Sequence, residues 1–239
     1  MPAPAIFAIM EPDPHPSASS PAHRRGPRID LTQLREVYST GGLAEADLEA
    51  HPLDMFERWL REAMAAGVYE PNAMVLATVG DDGRPSSRSV LLKKVVDEGF
   101  CFYTNHESRK GLQLAANPRC ALLFPWFDLH RQVRVEGTAT RLPREDAEAY
   151  FATRPREAQL GAWASRQSRV VASADELQQA YDDAAARFDG QPVPCPPYWG
   201  GWVVGPDAFE FWQGRRGRMH DRLVYRRTAE GWETERLAP

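Results

Sequence analysis

With 239 residues, 43% hydrophobic and 10% aromatic, the chain can bury the core of one sizeable domain or two small ones. A formal net charge of −4 argues against a general nucleic-acid binder, and no apolar run reaches membrane-spanning length. Cys101, Cys120 and Cys195 are scattered and offer neither a disulfide framework nor a metal spacing, so a reducing, cytoplasmic setting and no metal site are expected.

Residues 1–28 are rich in Pro, Ala and Ser and have no signal-peptide pattern; they are expected to be a disordered arm before a single domain over 29–239. Ile29 to Tyr38 has helical spacing. His51 to Gly67 reads as a helix, with Pro52 in its first turn and Leu53, Phe56, Leu60 and Met64 on one stripe. Ala73 to Val79 is a strand, and Asp81-Asp82-Gly83 turns the chain into a second one carrying Arg88 to Lys93. Phe100 to Thr104 is a short aromatic strand. Ser108 then stands where an N-cap would, ahead of a helix ending at Asn117-Pro118.

Cys120 to Trp126 reads as a buried strand. Gln132 to Arg141 alternates, with Val133, Val135 and Gly137 on one face and Gln132, Arg134 and Glu136 on the other. Helices are expected at about Arg144 to Thr153 and Ser173 to Phe188, with a polar linker from Arg154 to Arg169 between them. Gly201 to Val204, Phe209 to Gln213, Leu223 to Arg227 and Trp232 to Leu237 read as strands. Many short antiparallel-looking strands with a few helices give an α+β fold, a closed or split barrel. Neither βαβ alternation nor a G-x-G-x-x-G fingerprint is present, so a dinucleotide fold is not expected.

Two places carry unusual charge. Arg109 and Lys110 occupy a helix first turn, where the dipole favours anions. Either they are a solvated surface pair, or the backbone N–H groups, the dipole and both cations converge on one phosphate. Arg88 and Lys93 bracket an apolar run at odd spacing, so a regular strand puts them on opposite faces unless a bulge intervenes. Arg218, His220 and Arg222 alternate near Phe209, Phe211 and Trp212. If extended they share a face, which is costly without an anion; the plain alternative is a solvated basic loop. His51, His106 and His130 have polar loop settings and read as solvated.

Ten segments in order resemble the pyridoxine/pyridoxamine 5'-phosphate oxidase family: RSVLLK (88–93), FYTN (102–105), SRKGLQL (108–114), LLFPW (122–126), RQVRVEG (131–137), RPREAQLGAWASRQS (154–168), WGGW (199–202), EFWQG (210–214), RMHDR (218–222) and RLAP (236–239). The resemblance covers roughly Leu31 to Pro239. It implies an antiparallel, Greek-key-like FMN-binding split β-barrel with flanking helices. It implies a homodimer with FMN at the interface, and dimerisation and active-site residues in about 190–239.

By motif matching, the FMN ligands would be Arg88, Ser89, Val90, Leu91, Leu92, Lys93, Tyr103, Thr104, Arg109, Lys110, Gln132, Gln167, Ser168, Trp212 and Arg222, some from the partner subunit. Lys93, Tyr150 and Arg154 would hold the substrate phosphate. Arg218 and His220 would flank the reacting pyridine as the catalytic pair, and Arg35 and Tyr38 would belong to a segment that covers it. One departure is Ala158, where family members often carry Ser. The implied reaction is hydride transfer from pyridoxine or pyridoxamine 5'-phosphate to FMN, giving pyridoxal 5'-phosphate, with O2 as acceptor and H2O2 as product. The alternatives are a related flavin oxidase acting on another substrate, as in phenazine formation, or a flavin- or pyridoxal-phosphate-binding carrier without turnover.

Overall fold

In the computed structural model the described residues are 31–32, 38 and 41–239. The helix expected over Ile29 to Tyr38 and the arm at 1–28 lie outside them but for these few positions. Five helices and nine strands follow. They are α1 (Pro52–Ala65), β1 (Ala73–Val79), β2 (Pro85–Leu91), β3 (Lys94–Val96), β4 (Gly99–Asn105), α2 (Arg109–Ala116), β5 (Arg119–Trp126) and β6 (Arg131–Arg141). Next come α3 (Arg144–Ala152), α4 (Arg156–Ala164), α5 (Ala174–Arg187), β7 (Trp199–Gln213), β8 (Asp221–Thr228) and β9 (Gly231–Arg236).

The nine strands form one antiparallel sheet, seven of them in the order β2-β1-β5-β6-β7-β4-β3 with β8 branching from β7 and β9 pairing β8, curled into a half-barrel. The neighbours β1–β5 and β7–β4 are distant in sequence, which gives the Greek-key-like crossovers. β7 is one long strand where two short ones are expected from sequence. Its first half pairs with β4 and its second with β8, while β6 runs along its other edge from Trp202 to Gln213. The changeover falls at Gly205-Pro206, opposite a register shift between Glu136 and Gly137. Pro206 has no N–H for a ladder, and the bulge swings the strand toward a new partner.

α1 supplies the helical half of the core. His51 caps it, accepting from the Leu53 N–H. Leu53, Met55, Phe56, Trp59 and Ala63 are buried, whereas Met64, expected on the stripe, is exposed. Phe56 meets Phe100 and Phe124 with ring centroids 4.8 and 4.7 Å apart, and Trp59 meets Phe211 at 5.3 Å. A second apolar cluster, with Phe151, Leu160, Phe188 and Trp199, joins α3, α4 and α5 to the start of β7. The expected polar linker between α3 and α5 therefore contains a helix, α4, whose Leu160 enters this cluster. Among the described residues no helix is long and apolar enough to cross a membrane, and no cluster of acidic, His and Cys side chains could hold a metal.

Candidate active site

α2 begins as its sequence suggests. Ser108 is the N-cap, with its hydroxyl accepting from the Gly111 N–H, and no acid occupies the first turn. Lys110 folds back toward β4, donating to Thr104 Oγ1 at 3.1 Å and to Gln167 Oε1 at 2.9 Å. Burial, and then the nearby Arg88, push its pKa down to about 8. Arg88 is shifted the same way by burial and by Arg109.

These cations line a cleft of about 810 Å3. Arg88, Ser89, Val90, Leu91, Lys93, Tyr103, Thr104, Arg109, Lys110, Tyr150, Arg154, Gln167 and Ser168 all face it, and so does Ala158. Five of these side chains are basic, and among the described residues no carboxylate lines the cleft. The described residues bring five cations together with no carboxylate among them, which suits a strongly anionic ligand.

Within the run 88–93 Leu92 is the exception: it is 5% exposed and belongs to the core. The reason also shortens the strand expected to carry Arg88 to Lys93. β2 ends at Leu91, the Leu92 N–H bonds Asn72 O and the Lys93 N–H bonds Cys101 O. The chain crosses there from β1 to β4, so strand parity does not separate Arg88 from Lys93, and both reach the cleft.

The far wall is aromatic. Tyr103 and Tyr150 stack at 4.0 Å, and Trp199 lies parallel to Tyr103 at 5.5 Å. Arg154 sits over Trp199, its guanidinium carbon 4.8 Å from the ring centroid. Its Nη1 is buried and has no hydrogen-bond partner. A buried guanidinium donor left open costs free energy unless something accepts from it, so an acceptor from outside the chain fits here.

Trp199 is a site residue that motif reading missed. The Gly-Gly after it shows why the motif exists. A Cβ at Gly200 would lie 2.2 Å from His106 Nε2, and one at Gly201 would lie 2.8 Å from the Tyr103 ring. His106, expected to be solvated, instead packs edge-on to Trp202; burial, then Arg141 and Arg144, pull its pKa down to about 4.

The remaining predicted residues lie elsewhere. Gln132 pairs with Trp212, and Trp212 with Arg222, across β6, β7 and β8. They lie on the face opposite the buried Val133, Phe211 and Leu223. The alternation expected for Arg218, His220 and Arg222 is broken, because 216–218 form a 3-10 turn with Gly217 and Arg218 at positive φ. Only Arg222 is in a strand. Glu210, 5% exposed and not anticipated from sequence, takes the Arg222 Nε at 2.8 Å and Nη2 at 3.1 Å.

His220 lies against Trp212, with centroids 4.6 Å apart, and Tyr38 meets it edge-on at 5.3 Å. His130, also expected to be solvated, meets Tyr38 edge-on at 4.7 Å. The Arg215 N–H donates to His220 Nδ1 at 3.0 Å, so the ring proton sits on Nε2. Burial and then Arg218 hold its pKa below the usual imidazole value. Arg35 lies outside the described residues. Ser168 and Arg218, one in each group, both have positive φ, a conformation that non-glycine residues hold only under constraint. None of Gln132, Trp212, Arg218, His220 and Arg222 lines the cleft; they form a separate group around β6, β7 and β8.

A family model described as pyridoxamine 5'-phosphate oxidase matches residues 60–187, and one described as the pyridoxine 5'-phosphate oxidase C-terminal dimerisation region matches 199–239. A pyridoxine/pyridoxamine 5'-phosphate oxidase of Nocardioides sp. is 61% identical over 211 residues, covering 88% of this chain and 99% of that one. The chain belongs to the pyridoxine/pyridoxamine 5'-phosphate oxidase family. A family member from Rubrobacter xylanophilus is 56% identical, over 90% of this chain and 99% of that one. Among solved structures, PhzG from Burkholderia lata 383, in complex with tetrahydrophenazine-1-carboxylic acid, superposes with a TM-score of 0.80 at 30% identity. That match covers 85% of this chain and 100% of that one. A pyridoxamine 5'-phosphate oxidase-related, FMN binding protein from Nostoc punctiforme has a TM-score of 0.64 at 17% identity, covering 80% and 100%, and supports the fold alone.

The lowered pKa of Lys110 has a consequence for any phosphate bound beside it in the cleft. An anion beside it raises that pKa, so binding above pH 8 takes up a proton. FMN affinity is expected to fall by up to about tenfold per pH unit above pH 8. Stability moves the other way. The folded value of about 8 lies below the ordinary 10.5, so the unfolded chain holds more protons between these limits. The contribution of Lys110 to the ligand-free fold is therefore smallest below pH 8 and rises across that window. Titrating FMN into wild type and Lys110→Gln from pH 7 to 10 checks this: only wild type should show the slope.

Proposed function

We propose that the chain oxidises pyridoxine 5'-phosphate and pyridoxamine 5'-phosphate to pyridoxal 5'-phosphate in the cytoplasm. FMN is the bound cofactor, O2 the electron acceptor and H2O2 the second product. The observation that carries this reading is the cleft with five basic side chains and, among the described residues, no carboxylate, beside an aromatic wall and an arginine with an open buried donor. Two phosphates, one from the cofactor and one from the substrate, would answer that charge. All three cysteines are free thiols, in keeping with a reducing compartment.

The cation group of Arg88, Arg109 and Lys110, with the α2 N-terminus, would hold the FMN phosphate. Thr104, Gln167 and Ser168 would add polar contacts. When bound, FMN supplies the hydride acceptor that no side chain of the protein can provide. Lys93, Tyr150 and Arg154 would anchor the substrate phosphate, and that binding energy would orient the reacting carbon. Arg218 would place positive charge beside the pyridine ring. His220, protonated at Nε2, would donate a hydrogen bond to the substrate and not act as a base.

The site is completed by a second copy of the chain. Trp212, Arg218, His220 and Arg222 fall within the region matched by the dimerisation model, and none of them lines the cleft. A homodimer with FMN at the interface brings the half-sites together twice. The phenazine reading rests on a relative at 30% identity, half that of the Nocardioides oxidase. A turnover assay tests the proposal: protein supplied with FMN should convert either phosphorylated vitamer to pyridoxal 5'-phosphate with equimolar H2O2. Flavin uptake without oxidation of either vitamer would refute it.

A further inference from the structure

Behind the cleft, Arg88 is held in an unusual way. Its Nη1 donates to Leu76 O at 3.1 Å and to Thr78 Oγ1 at 2.6 Å. Its Nη2 donates to Ser86 Oγ at 2.7 Å and to Gln113 Oε1 at 3.3 Å. Four bonds fix the guanidinium, and every acceptor is neutral. The charge is immobilised without being cancelled.

Gln113 closes this arrangement. It lies in α2, the helix whose first turn carries Arg109 and Lys110, and its side chain is buried against the sheet. Its Oε1 accepts from Thr78 Oγ1 at 2.7 Å and from Ser86 Oγ at 2.8 Å. The direction of these bonds is forced. The lone pairs of both hydroxyls face Arg88 donors, so each hydroxyl proton must go to another acceptor. Thr78, on β1, is 1% exposed and finds that acceptor in Gln113. One amide oxygen thus ties β1, β2 and α2 together and sets Arg88 beside the helix terminus.

A carboxylate could accept the same three bonds. It would also neutralise Arg88, and with it part of the charge that the cleft needs. The position therefore calls for an acceptor that carries no charge.

We propose that Gln113 is a positioning residue for the anion held in the cleft, fixing Arg88 in place while leaving its charge for the ligand. The inference rests on the reading of that anion as the FMN phosphate.

Gln113→Glu separates positioning from mere structural support. In the full-length FMN-free protein it should keep the hydrogen bonds and gain an ion pair with Arg88, so Tm should be equal to or above that of wild type. FMN affinity, measured by quenching of flavin fluorescence, should fall by about tenfold or more. Gln113→Met removes the clamp without adding charge. It should lower both Tm and FMN affinity, since Thr78 and Ser86 lose their acceptor. If Gln113→Glu binds FMN within about twofold of wild type, the inference is wrong. Should the carboxylate variant fail to fold, wild-type FMN affinity in Gln113→Met would overturn it equally. Failure of the wild-type protein to take up FMN would instead remove the cofactor reading beneath it.

Discussion

A heterodimer of one Arg154→Ala subunit and one Arg218→Ala subunit is expected to recover about half of the wild-type activity per dimer, although each variant homodimer is nearly inactive. Arg154 lines the cleft and Arg218 lies in the turn before β8, outside it. If a working site takes the cleft of one subunit and the β6–β7–β8 face of the other, each homodimer has two damaged sites. The heterodimer gathers both lesions in one site and leaves the other whole. Co-expression with two affinity tags, purification through both and a peroxide assay give the comparison. Activity no higher than that of the parent homodimers would place both residues in the same site of the same subunit.

The single change Arg154→Ala is expected to lower kcat/KM for pyridoxine 5'-phosphate by roughly 100-fold, the equivalent of about 3 kcal/mol for a lost charged hydrogen bond. Its guanidinium lies over Trp199 and keeps Nη1 buried and open. Burial disfavours the charged form and holds its pKa below the usual guanidinium value. A phosphate oxygen would satisfy both the charge and the open donor. Unphosphorylated pyridoxine has nothing to place there, so whatever rate wild type shows with it should change little. Losing both substrates to the same degree would mean that Arg154 supports the wall through Trp199 and does not read the phosphate. Arg154→Lys, which keeps the charge but not the stacking plane, should fall between wild type and Ala.

Local patterns in the sequence carried much of this architecture. Ser108 followed by Arg109 and Lys110 is a capped helix start with the wrong charge, and the structure places all three at the cleft edge or just behind it. The alternation along β6 is also local, and Val133 and Val135 are buried as it requires. Distant partners escaped the reading. Arg88 and Lys93 share a cleft because Leu92 and Lys93 bond to Asn72 and Cys101, contacts that strand parity does not encode. α4 hides in a polar stretch because it buries little beyond Leu160. Gln113 and Glu210 look like ordinary polar residues until their arginines arrive from other elements. The two half-sites could be named only through the family resemblance, since nothing in the spacing of Arg154 and Arg218 says which surfaces a second subunit would join.

The most direct measurement is an anaerobic absorbance spectrum of the FMN-loaded protein before and after adding pyridoxine 5'-phosphate. Bleaching of the bound flavin on addition, with recovery on admitting air, is the predicted result. A bound flavin that stays oxidised, or a protein that takes up no FMN at all, would contradict the account.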